Sequence, residues 1–163
     1  MTTIINGSSP SITFSDNTTQ TTAAPYGPAF AAYNNTVTNT LSANTWTKIS
    51  YPSENWDTNN NFASSRFTPT VAGYYQINAT FGEGLSSSGM IFYIAVYKNG
   101  TEFRKMQYIA SSAWYTNIPI SAQVYCNGST DYIEIYAYTG VSYSSSPGSQ
   151  ATNYFDGALV RAA

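Results

Sequence analysis

The chain has no histidine and one cysteine, and its six basic and eight acidic residues make only fourteen charges in 163 positions. Without histidine there is no imidazole to activate a serine or cysteine nucleophile, and no His-containing metal site. Cys126 stands alone, so no intrachain disulfide forms and stability has to come from packing or assembly. Beside the turn signal Asn127 and Gly128, this cysteine is expected to be a small semi-buried residue. The charges are scattered and sum to −2, so nothing builds the basic face that phosphate backbones or anionic membranes require. Nucleic acid is excluded as a partner on this ground. Membrane insertion is not expected either, because no apolar run approaches the ~20 residues of a spanning helix. Met1 to Asn6 lack the basic and apolar regions of a signal peptide, so synthesis in a cytoplasm without the usual export is expected.

The acids offer little for catalysis. Hydrolysis by two carboxylates needs an Asp/Glu pair facing one cleft, and Asp16, Glu54, Asp57, Glu83, Glu102, Asp131, Glu134 and Asp156 are spread along the chain. Asp131 and Glu134 alone make a poor calcium cage. The expectation is a non-enzymatic protein with no metal and no cofactor.

In place of charge there are fifteen Tyr and eight Phe among short alternating runs of Thr, Ser, Asn and Ala, which favours strands. The length suits one domain plus a tail. Residues 1–28 lack a sustained hydrophobic pattern and read as an extended polar arm, in which Ile12 and Phe14 belong to a short alternating stretch that could form one strand against something else. From Ala29 onward strand candidates recur: Ala29 to Tyr33, Thr45 to Tyr51, Arg66 to Thr68, Gly73 to Phe81 and Met90 to Lys98. They continue with Thr101 to Tyr108, Ile118 to Tyr125, Tyr132 to Tyr138 and Ala151 to Arg161. Many short strands and no helical segment predict an all-β antiparallel sandwich or closed barrel. Asn99 and Gly100 predict a two-residue hairpin turn. Ser53 to Asn61 and Gly140 to Gln150 read as loops.

Several strands are apolar on both faces. Phe92, Ile94 and Val96 alternate with Ile91, Tyr93, Ala95 and Tyr97, and Ile133, Ile135 and Ala137 alternate with Tyr132, Glu134, Tyr136 and Tyr138. An antiparallel sheet with one wet face alternates more cleanly, so a second covering layer is expected, supplied by a neighbouring copy.

Four stretches resemble the complement C1q and tumour necrosis factor (TNF) heads: Ala29 to Tyr33, Phe67 to Tyr75, Val96 to Gly100, and Tyr154 to Val160. In order, they cover residues 29–163. The resemblance implies a jelly roll closed by trimerisation about a threefold axis, with Tyr74, Gln76, Phe155 and Leu159 on the axis side. No collagen-like Gly repeat precedes the domain, which argues against complement-like partners. Ser11 to Ala24 are similar to a segment of bacteriophage tail and fibre proteins, with Asn17 where Gly is usual; Asn tolerates the left-handed conformation that such a turn needs. Together the two resemblances imply a homotrimeric phage virion protein released by lysis. Its arm would attach to other virion proteins through Ile12 and Phe14. Its head, at a fibre, needle or spike tip, would bind a host cell-surface glycan or protein through loops carrying Trp56, Asn59, Tyr143 and Ser145. The alternatives are a capsid decoration or cement protein, a glycan-degrading enzyme, and a secreted C1q-like lectin.

Overall fold

The computed structural model describes residues 27–84, 89–111 and 115–163, with Ile4, Ile5, Ile12, Thr13, Ser15, Asn17, Thr19 and Gln20 before them. Three two-residue strands, β1 (Ile4–Ile5), β2 (Ile12–Thr13) and β3 (Thr19–Gln20), pair antiparallel in that order. The strand around Ile12 therefore pairs within the arm itself. Phe14 lies outside the described residues. Asn17 adopts the left-handed conformation, with φ 65°.

The head continues with β4 (Ala29–Tyr33), β5 (Thr40–Leu41), β6 (Thr47–Lys48), β7 (Ser53–Asp57), β8 (Phe62–Ala63), β9 (Arg66–Phe67) and β10 (Ala72–Gly84). Then come β11 (Ile91–Lys98), β12 (Thr101–Ile109), β13 (Tyr115–Asn127), β14 (Ile133–Thr139), β15 (Tyr143–Ser144) and β16 (Tyr154–Ala162). One sheet has the order β13-β10-β16-β4-β7, and the other β12-β11-β14-β9-β8 with β6 also on β14; β15 pairs with β5. All pairings are antiparallel, and no helix occurs among the described residues.

Alternation assigns the core. On β10, Tyr75, Ile77, Ala79 and Phe81 point inward and are buried, while Tyr74, Gln76 and Asn78 point out. Across the sandwich they meet Phe92, Ile94 and Val96 of β11 and Ile133, Ile135 and Ala137 of β14 in one cluster. Phe30 is central, with ring centroids 4.4 Å from Phe67 and 4.8 Å from both Phe62 and Phe155. Gly157 makes this possible: a Cβ there would lie 2.8 Å from Ile77 Cδ1 and 3.0 Å from Phe30 Cε1. The buried phenols of Tyr51 and Tyr75 are satisfied, Tyr51 donating to Thr80 O at 3.0 Å and Tyr75 to Val71 O at 2.7 Å. Cys126 is fully buried in the same cluster.

The hairpin at Asn99 and Gly100 forms as expected, with φ of 53° and 77°, the paired positive values of a two-residue turn. Three expectations are corrected. Ser53 to Asn61 is not all loop, because Ser53–Asp57 form an edge strand on β4. The strand foreseen at Thr45 to Tyr51 is confined to Thr47–Lys48. The outer face of β11 and β14 is covered in part by the chain itself, since Trp46 crosses onto Tyr93, Tyr97 and Tyr138. Pro28 belongs with the head: it is buried, and its carbonyl accepts the Leu159 amide at 3.1 Å.

Candidate functional site

Two outer faces and two loop regions are the places where this sandwich can meet a partner. On the β13-β10-β16 face, Tyr74 and Tyr125 are direct register partners with ring centroids 5.4 Å apart, and they are 48% and 42% exposed. Val160, also exposed, follows on β16 at the bulge opposite Tyr74 and Tyr75. Beside these apolar groups runs a row of amides and hydroxyls. Gln76 Nε2 donates to Ser121 Oγ at 2.7 Å, Ser121 Oγ donates to Asn78 Oδ1 at 3.0 Å, and Asn78 Nδ2 donates to Asp156 Oδ1 at 3.0 Å. Burial holds the Asp156 carboxyl above its usual range, and the Asn78 bond only partly offsets this. A cleft of about 440 Å³ opens between Asn78, Ser121, Tyr154 and Asp156 on this face and Arg104 and Met106 of β12.

Of the four residues that the family resemblance assigns to an axis, Tyr74 and Gln76 point outward on this face. Phe155 and Leu159 do not. Strand alternation turns them to the other side of the sheet: Phe155 is fully buried against Phe30, Phe62 and Tyr51, and Leu159 packs on the core above Gly27 and Gly73. Both serve the chain's own interior, and the assignment of either to an intersubunit face is corrected.

The opposite face, on β11 and β14, is aromatic. Trp46 sits 5.5–6.2 Å from the rings of Tyr93, Tyr97 and Tyr138, and Tyr97 stacks on Tyr136 at 4.2 Å. Ala95, between Tyr93 and Tyr97 in sequence, is fully buried on this face. Glu134 anchors the aromatic rows. Its side chain is only 3% exposed and accepts Lys48 Nζ at 2.6 Å and Arg66 Nε at 2.8 Å, with the Tyr136 hydroxyl at 3.4 Å. Burial pushes this carboxyl up, but the bonds and charges of Lys48 and Arg66 outweigh it and hold it below its ordinary value. Asp131 is likewise held low: its burial is outweighed by hydrogen bonds from Asn99, Lys98 and the Asn127 amide. The two acids weighed as a calcium pair thus serve separate cation partners.

The loop residues are divided as well. Trp56 is 49% exposed on β7, and Asn59 is exposed in the following turn, at the end of the sandwich where Asn61 bonds Thr70. Tyr143 and Ser145 lie elsewhere, Tyr143 against Phe92 and Ser145 against Asn39. Tyr143 packs on Phe92 and the core, and Ser145 is fully buried, its amide donating to Asn39 O at 2.9 Å. Ser145 is thus inside the fold, which corrects its placement in a recognition loop, and Tyr143 is half-buried. Trp46 is the residue that local pattern does not single out, because its partners Tyr93 and Tyr138 are distant in sequence and meet it only in the fold.

Among the described residues no three metal-ligating side chains come together. Burial pushes the Cys126 thiol up to about 11, against a small opposing effect of Lys98, so it is not a thiolate near neutrality.

No family model and no curated protein matches the sequence. Solved structures do. The globular domain of zebrafish complement 1qA protein matches with TM-score 0.62 and 14% identity over 84% of this chain and 99% of its own. Murine APRIL gives 0.64 and 7% over 82% and 99%, and the PRD1 vertex protein P5 gives 0.59 and 17% over 85% and 100%. At these identities the likeness concerns fold: the chain is an all-β antiparallel jelly-roll sandwich of the C1q and TNF type.

Proposed function

We propose that the protein is a non-enzymatic homotrimeric virion protein whose head assembles through the β13-β10-β16 face and serves host adhesion at a fibre, needle or spike tip. The observation that carries this reading is the Tyr74, Tyr125 and Val160 patch flanked by the Gln76, Ser121, Asn78 and Asp156 row. An apolar centre with a hydrogen-bonding margin is how a stable protein interface is composed, and Tyr suits it because its ring buries while its hydroxyl finds a partner. The fold likeness to a phage vertex protein supports a virion location. The small strands of the first segment, β1 to β3, attach the head to other virion proteins.

The same likeness favours one second reading, a trimeric decoration protein on the capsid. Immunogold labelling of purified particles with antibody raised against the head separates the two. Label at tail or spike tips supports adhesion, label distributed over the capsid supports decoration, and particles carrying no label overturn the virion assignment.

A further inference from the structure

We propose that the aromatic face of β11 and β14 carries a sugar-binding cleft, walled by Trp46, Tyr93 and Tyr138, whose ligands are neutral surface glycans. The proposal rests on the adhesion reading and moves the contact from the loops to a sheet face opposite the assembly face.

The cleft has a volume of about 550 Å³, within the range of ~300–1,000 Å³ typical of small-molecule sites. Its apolar side is Trp46, Tyr93, Tyr138 and Ile91, and its polar side is Asn44, Gln107 and Lys105. The rings are held before any ligand arrives. Trp46 leans on three tyrosines, and the Tyr138 hydroxyl donates to Asn44 Oδ1 at 3.0 Å. That bond fixes Tyr138 and leaves the Asn44 amide nitrogen to donate outward. Few rotamers remain to be lost on binding, which is the condition for a weak ligand to be held at all.

The chemistry of the lining selects the ligand. Sugar rings present C–H patches beside hydroxyls, matching ring faces next to neutral amides. No carboxylate lines the cleft, and the one cation, Lys105, is already paired with Glu102 at 3.1 Å, so a charged ligand gains little. An extended peptide would dock along a sheet edge, where unpaired backbone groups are offered, whereas the ring wall of this cleft stands on β11 and β14, each paired on both sides, and the edge strand β12 contributes only the side chains of Lys105 and Gln107. Repetition of a weak site on one assembly raises avidity without new contacts.

The test uses the full chain on an array bearing neutral hexose oligosaccharides, uronic-acid oligosaccharides and peptides. Binding to neutral oligosaccharides is expected, weakened roughly tenfold or more by Trp46→Ala. Gln107→Ala, at an exposed position that packing does not need, is expected to weaken it severalfold, and Trp56→Ala to leave it unchanged. Absence of neutral-glycan binding, binding to acidic probes or peptides alone, or wild-type binding by both cleft variants would overturn the site. Light scattering on the same samples separates the two proposals: a single-chain mass with sugar binding intact removes the assembly reading and keeps the cleft, and a trimer without sugar binding does the reverse.

Discussion

Tyr74 and Tyr125 stand opposite each other across β10 and β13, their rings 5.4 Å apart and nearly half of each in solvent. Two large rings on a sheet face leave apolar area that a second copy of the chain can cover. Burying it contributes about 25 cal/mol per Å² of apolar surface, before the costs of association are subtracted.

Phe155 separates core from interface. Its ring makes edge contacts with Phe30 and Phe62 inside one chain, so Phe155→Ala is expected to cost about 3–5 kcal/mol of folding stability through cavity formation. Thermal unfolding followed by circular dichroism should show a large fall in Tm. An unchanged Tm accompanied by loss of assembly would return Phe155 to the interface.

Acid should loosen the fold through Glu134 and Asp131. Both carboxyls are held below their ordinary values in the folded chain, so their contribution is complete above the unfolded pKa and is lost as pH falls through the folded one. Asp156 is shifted upward and acts in the opposite sense. Stability measured by urea unfolding should therefore hold near neutrality and fall below about pH 4, the ordinary carboxylate range. Glu134→Gln should cost on the order of 2 kcal/mol at neutral pH, less than a fully buried ion pair because Lys48 and Arg66 remain partly solvated, and it should flatten the acid limb. A variant with the wild-type acid profile would show that the network does not govern it.

The arm should be dispensable for the head. A chain beginning at Gly27 keeps the Pro28 bond to Leu159 and the whole core cluster. It is expected to fold and assemble as the full chain does but to be missing from purified particles. Normal incorporation would mean that attachment lies in the head.

Much of this fold was legible because alternation on long strands is a local signal: Tyr75, Ile77, Ala79 and Phe81 on β10 reveal their inward face without any partner. The rest depended on contacts distant in sequence. Ser53 to Asp57 contain no β-branched residue, and they become a strand only through backbone pairing with β4 at the sheet edge. Ser145 looks like a loop serine, yet it is buried by a bond to Asn39, 106 positions away. The apolar second face of β11 was visible, but periodicity says only that a cover exists, and the cover turned out to include Trp46. Phe155 and Leu159 were assigned by family likeness, which identifies a strand more securely than the face its residues occupy.

Assembly through the Tyr74 and Tyr125 face is read most simply from the mass of the full chain by light scattering at micromolar concentration. Three chains are expected for the wild type, and one chain with unchanged circular dichroism for Tyr74→Glu combined with Tyr125→Glu. A wild type with the mass of a single chain, or a double variant that remains a trimer, would contradict it.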